Sequence, residues 1–166
     1  MAVSPGHATG KATAVIGFGD VIDVTLSTDT NAYADNDVLA APQEVTGFFR
    51  VAGGRAILQN LVLLDESDQG SDIDLIFMDA TGSIGNENAA FAPTDAVART
   101  IIGTVTLLAT ANVDAANSQI QCANGIGMMM KAASGSTSVW VAAVVRSGTP
   151  TYAADALKLK LAVLWD

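Results

Sequence analysis

The sequence predicts an all-β fold, an antiparallel jelly-roll-like β-sandwich preceded by an extended N-terminal arm, and three observations carry that prediction. About nine short apolar-rich runs follow one another, each closed by Asp, Gly, Asn, Ser or Pro. Within several of them apolar and polar residues alternate with period two, the signature of a strand buried on one face. Turn signals recur at fairly regular spacing with almost no helical pattern between them, which indicates a sandwich or barrel and not alternating βαβ units.

Residues 1–19 form the arm. They mix Gly, Ala, Ser, Thr and Pro without a strand or helix period, and fully extended they reach roughly 60 Å. The folded domain spans 20–166 and begins with VIDVTLS, in which Ile22, Val24 and Leu26 face one way and Val21, Asp23 and Thr25 the other. STDTNAYADND is a polar loop, because its Asn and Asp side chains bond nearby backbone groups. EVTGFFRV and AILQNLVLLD follow as strands, and the short link Ala52-Gly53-Gly54 predicts a hairpin between them. In DIDLIFMD, Ile73, Leu75 and Phe77 alternate with Asp74, Ile76 and Met78. The one helix lies in TGSIGNENAAFAPTDAVART, capped by Thr94, with Asp95 near the positive end of its dipole and Arg99 near the other. TVTLLA, SQIQCA, IGMMMK, SVWVAAVVRS and LKLKLAVLW complete the strands. The Met run places Met128 and Met130 on one face and Met129 on the other, and the LKLK alternation puts both lysines on one side. Phe48, Phe49, Phe77, Phe91, Trp140 and Trp165 read as core or interface anchors.

Composition narrows the function. At 166 residues the chain is one domain able to bury about 70% of its unfolded surface without disulfides. Its single Cys122 reads as a small core residue. The net charge of −9 repels phosphate backbones, so nucleic acid is not the partner. No basic segment followed by an apolar leader opens the sequence, and no run approaches the 18 or so apolar residues of a membrane span. A protein made in a cytoplasm, with no membrane partner, is expected. With 50% hydrophobic residues, part of the apolar surface is expected to meet another chain.

Reactive chemistry is sparse. Gly17 and Gly19 open like a dinucleotide fingerprint, but Ile22 stands at the third glycine and a strand follows where phosphate binding needs a helix N-terminus. Asp65, Glu66, Asp68, Asp72 and Asp74 could offer oxygens to Ca²⁺, yet Ile76 replaces the closing Glu of an EF-hand, and a solvated turn is the simpler reading. The single His7 lies in the arm, which removes a catalytic triad or a zinc or cupin-type centre from consideration. Neither catalytic, metal nor cofactor residues are assigned, and the chain is expected not to be an enzyme.

Three segments carry a family resemblance: VIDVTLSTDTNAYADNDVLAAPQE, then AILQNLVLLDESDQGSDIDLIFMDA with IGNENAA, then VWVAAVVRSGTPTYAADALKLKLAVLWD. From Asp20 to Asp166 the sequence resembles the capsid decoration, or cement, proteins of tailed bacteriophages. The resemblance implies a β-sandwich on the outer surface of the phage head, made in the bacterial cytoplasm. It implies the major capsid protein and sister copies as partners, with a trimer favoured over a dimer. Candidate capsid- or subunit-contact residues are Lys11, Val15, Ile16 and Phe18 in the arm, with Met129 and Arg146 in the body. A carbohydrate-binding jelly roll of a head or tail fibre is the alternative, and exposed aromatics beside loops such as STDTNAYADND would mark it.

Overall fold

A computed structural model describes residues 18–165. It contains ten strands, one short helix and a 3-10 turn. The strands form two antiparallel sheets, one in the order β1-β10-β3-β7-β6 with β8 also paired to β3, the other in the order β2-β9-β4-β5. Their ranges are β1 Phe18–Leu26, β2 Val38–Val45, β3 Arg55–Asp65, β4 Ile73–Met78 and β5 Ile101–Leu107. The remaining strands are β6 Val113–Ala115, β7 Ser118–Ala123, β8 Met128–Lys131, β9 Val139–Val145 and β10 Leu157–Trp165. Strands β1 to β4 alternate between the sheets, so the chain winds around the core in the manner of a β-sandwich.

The alternation read from the sequence sets which side chains meet. In β10, Leu157, Leu159, Leu161 and Val163 are buried while Lys160 and Leu164 are exposed. Opposite them, β4 and β9 contribute Ile73, Leu75, Phe77, Val141 and Val145. Ile22, Val24 and Leu26 turn inward from β1, as their parity requires. Phe18 and Gly19, which the sequence groups with the arm, are the first two residues of β1 and pair with Trp165 and Leu164.

The hairpin expected between EVTGFFRV and AILQNLVLLD does not form. β2 ends at Val45 and pairs with β9, whereas β3 pairs with β10, β7 and β8 in the other sheet. Residues 46–54 turn between sheets, and this irregular backbone lets the consecutive Phe48 and Phe49 both enter the core, where their rings meet edge-on at 5.1 Å. β2 itself contains Pro42 and two register shifts against β9, a combination an edge strand tolerates. β6 is a three-residue strand paired with β7.

Cys122 is exposed, not buried. Gln121 takes the inward position at 2% exposure, and its amide donates to the Ser71 carbonyl at 3.0 Å, so its burial leaves that donor satisfied.

The outer side of the smaller sheet is covered by the chain itself. Ile76 and Met78 of β4 and Ala142 and Val144 of β9 face outward and are sealed by Val38 at the start of β2, Val97 of the short helix, and Ile84 and Phe91 from the loop between β4 and that helix. α1 (Asp95–Ala98) belongs to this cover, with the Thr94 hydroxyl accepting from the Val97 N–H at 3.4 Å. Gly85 permits the cover to close: its φ is +126°, and a Cβ there would lie 2.7 Å from the Ala90 carbonyl oxygen.

Candidate functional site

The outer side of the larger sheet has no such cover among the described residues. Pairing register defines its rows. Gly19 of β1, Leu164 of β10, Ile57 of β3 and Met129 of β8 lie side by side across four strands. A second row joins Asp23, Lys160, Val62 and Cys122, and a third joins Thr25, Lys158, Leu64 and Ile120. Val113 extends the third row onto β6. Val21 (56%), Leu164 (41%), Met129 (68%) and Val113 (60%) are strongly exposed, and Ile57, Val62, Leu64 and Ile120 are half-buried only because they shield one another. A bulge at Gln59 and Asn60 bends β3 midway, where the β7–β8 link crosses it through Ile126 N–H to Gln59 O and Gly125 N–H to Asn60 Oδ1, each 2.8 Å.

The charge on this face departs from that of the whole chain. Arg55, Lys131, Lys158 and Lys160 stand on its outward strand positions against Asp23, in a protein whose acidic residues outnumber its basic ones 17 to 8. Asp23 is held by Lys160 at 2.6 Å, and the Lys158 ammonium reaches the Thr25 hydroxyl at 3.5 Å. The result is an apolar surface with cationic margins.

Of the sequence-predicted contact residues, Met129 sits on this face. Phe18 lies at its edge, 57% exposed, with the Arg50 guanidinium 4.1 Å from the ring centroid. Arg146 lies elsewhere, at the end of β9 in the other sheet, ion-paired to Asp74 at 2.7 Å. Lys11, Val15 and Ile16 fall outside the described residues. Val21, Ile57, Val62, Leu64 and Leu164 were not singled out by the sequence, although LVLL in β3 is apolar on both parities and signals a strand with something on each side.

The acidic loop is tied into the fold. Asp65, 2% exposed, accepts the N–H groups of Ser67 (2.8 Å), Gln69 (2.8 Å) and Gly70 (3.0 Å). Asp72 accepts from the Ala109 N–H at 2.6 Å and the Ser147 hydroxyl at 3.0 Å, and Asp74 from the Thr106 hydroxyl at 2.5 Å. Among the described residues no three His, Cys, Asp or Glu side chains converge as a metal would require. Gly19 lies within β1, without the helix a dinucleotide site uses, and Gly17 falls outside the described residues.

The aromatic residues near STDTNAYADND are internal. Tyr33 and Tyr152, each 1% exposed, pack with ring centroids 6.2 Å apart. The Tyr33 hydroxyl accepts from the Asp29 N–H at 2.8 Å and donates to Glu87 at 3.0 Å. Burial pushes both phenols well above the ordinary tyrosine value, with Asp65 adding to the effect at Tyr152. Stability from these two neutral phenols is therefore fully present below pH 10 and is lost as pH rises beyond it. Among the described residues the Tyr152 hydroxyl makes no hydrogen bond of good geometry, although the Ser71 side chain lies close enough to act on it. Tyr152→Phe is expected to leave stability unchanged or raise it by about 1 kcal/mol, because it removes a buried unsatisfied group. It should also reduce the alkaline loss. Urea unfolding at neutral pH and above pH 10 checks both, and a loss greater than 1 kcal/mol at neutral pH would contradict the geometry.

No family model matches the chain, and no curated protein matches it. A solved structure of Desmodium yellow mottle tymovirus aligns over 90% of this chain and 81% of that one, at 11% identity and a TM-score of 0.30. A superposition that loose defines neither a shared fold nor a shared role.

Proposed function

We propose that this protein is a structural virion component, a decoration protein that docks on the outer surface of a tailed-phage head and ties neighbouring major capsid protein subunits together. One observation carries the docking part of this reading: among the described residues the larger sheet leaves an apolar, cation-edged outer face uncovered while the smaller sheet seals its own. Soluble monomers rarely expose a contiguous apolar patch of that kind without a partner for it. The assignment of that partner to a phage head rests on the sequence resemblance, and no reaction is assigned to the chain.

The mechanism is mechanical. The sandwich supplies a plate, and its outer face buries apolar area against the shell while Arg55, Lys131 and Lys158 meet carboxylates at the margin. Several copies acting together bind with an avidity about 10² to 10⁴ times that of one contact. Neighbouring tiles are thereby held against internal pressure.

The test is co-sedimentation with purified shells that lack the protein. Wild type should pellet with the shells, and Met129→Asp combined with Leu164→Asp should reduce affinity at least tenfold, since each replaces an apolar side chain of the contact with a charged one that must be desolvated. Both positions are exposed, so the folded state should survive. Equal pelleting of the double variant would overturn the assignment of this face. Failure of the wild type to pellet, together with glycan binding, would favour the fibre-module alternative.

A further inference from the structure

We infer that the open edge of β1 joins a second copy of this chain, with β1 pairing antiparallel to β1 about a two-fold axis at Val21. The inference does not depend on the shell-docking reading.

The sandwich protects its other edges. β2 carries Pro42 and two register shifts, β6 and β8 have only three and four residues, and β5 shifts register against β4 between Gly103 and Ile101. β1 differs from all of these. It runs nine residues without proline or bulge in continuous register with β10, and among the described residues no strand pairs with its other side. Long, regular, unprotected edges are templates for strand addition.

The hydrogen bonds show which residues address that edge. Gln43 donates to the Thr25 carbonyl at 3.1 Å and accepts the Ser27 N–H at 2.8 Å, so the odd-numbered residues turn their backbone groups outward. Gln43 closes one end only. Gly19, Val21 and Asp23 are left, and the Val21 N–H is taken up merely by the neighbouring Asp20 side chain at 2.8 Å.

Charge and side-chain size select the register and the occupant. Pairing centred on Asp20 or Asp23 would set like carboxylates directly opposite each other, which destabilises a sheet. Centred on Val21, the two valines face each other, Gly19 lies opposite Asp23, and exposed Phe18 lies opposite Val24. Asp23 is already engaged by Lys160. The segment is therefore complementary to itself. Pairing would run the two larger sheets into one continuous sheet, with both apolar faces on the same side.

The test is the solution mass of the full chain by sedimentation equilibrium. Wild type should be a dimer or a multiple of one. Val21→Pro removes the central outward N–H without touching the β1–β10 ladder, because proline is accepted where the N–H faces away from the sheet. It should halve the mass while thermal unfolding stays within a few degrees. As a positive control, Val21→Cys with Cys122→Ser should oxidise to a covalent dimer, since directly opposite hydrogen-bonded residues lie about 5.5 Å apart, within disulfide range. A monomeric wild type, a trimer that survives Val21→Pro, or failure of Val21→Cys to cross-link would each overturn the inference.

Discussion

Phe77→Ala should destabilise the protein by about 3–5 kcal/mol, the range for removing a fully buried phenylalanine. Phe77 has no exposed surface and sits on β4 between β9 and β5. Its ring belongs to the cluster that both sheets share, so the void cannot be filled by one sheet moving alone. For a domain whose net stability is about 5–15 kcal/mol, the change removes a large fraction of it. Urea unfolding monitored by tryptophan fluorescence gives the number. Met129→Ala, at a position 68% exposed, is the matched control and should stay within about 0.5 kcal/mol. A Phe77→Ala cost below about 1.5 kcal/mol would mean that the two sheets do not pack on this ring.

The contrast between these positions shows what the sequence reveals and where it stops. Parity is readable where a strand has one apolar and one polar side. LKLKLAVLW, VIDVTLS and the Met run therefore place their side chains correctly, and Thr94 marks the helix start through its own cap. Parity fails where both sides are apolar, and it misleads where the apolar side is the outer one. In SQIQCA the greasier parity, Ile120 and Cys122, reads as inward, but those residues extend the uncovered face. Gln121 goes inside because Ser71 offers it a carbonyl. The apolar outer face thus hides itself from a periodicity argument, and only the surplus of hydrophobic residues betrays it.

Other misreadings have local causes. β2 covers VLAAPQEV, mostly ahead of the EVTGFFRV run in which the sequence places the strand, and its Pro42 sits on an edge whose bulges absorb it. Phe48 and Phe49 look like part of a strand because they are β-formers, whereas an irregular turn is what allows two consecutive rings to point the same way. LIFM in β4 does announce burial on both faces. The segment that covers its outer side follows β4 directly, however, and only the fold turns Ile84 and Phe91 back over it.

The loop end of the sandwich provides the second large effect. Asp65→Ala should lower stability by about 3 kcal/mol, because one buried carboxylate satisfies three backbone donors and bonds to a charged acceptor contribute about 1.5–3 kcal/mol each. The total falls short of their sum, since water can reach part of the loop once the side chain is gone. Asp65→Asn retains one oxygen and should cost about half as much. The consequence extends past residues 66–70. Gln69 accepts the Thr151 N–H at 3.0 Å, and the Ser67 hydroxyl accepts the Ala153 N–H at 2.9 Å, so faster amide exchange is expected at both Thr151 and Ala153. The hydrogen bonds of Asp65 go to residues 67, 69 and 70, none of which belongs to the rows of the uncovered face. Folded Asp65→Ala should therefore pellet with shells as wild type does, while melting earlier. Loss of shell binding at temperatures where the variant is still folded would place the docking surface at this loop end and not on the larger sheet.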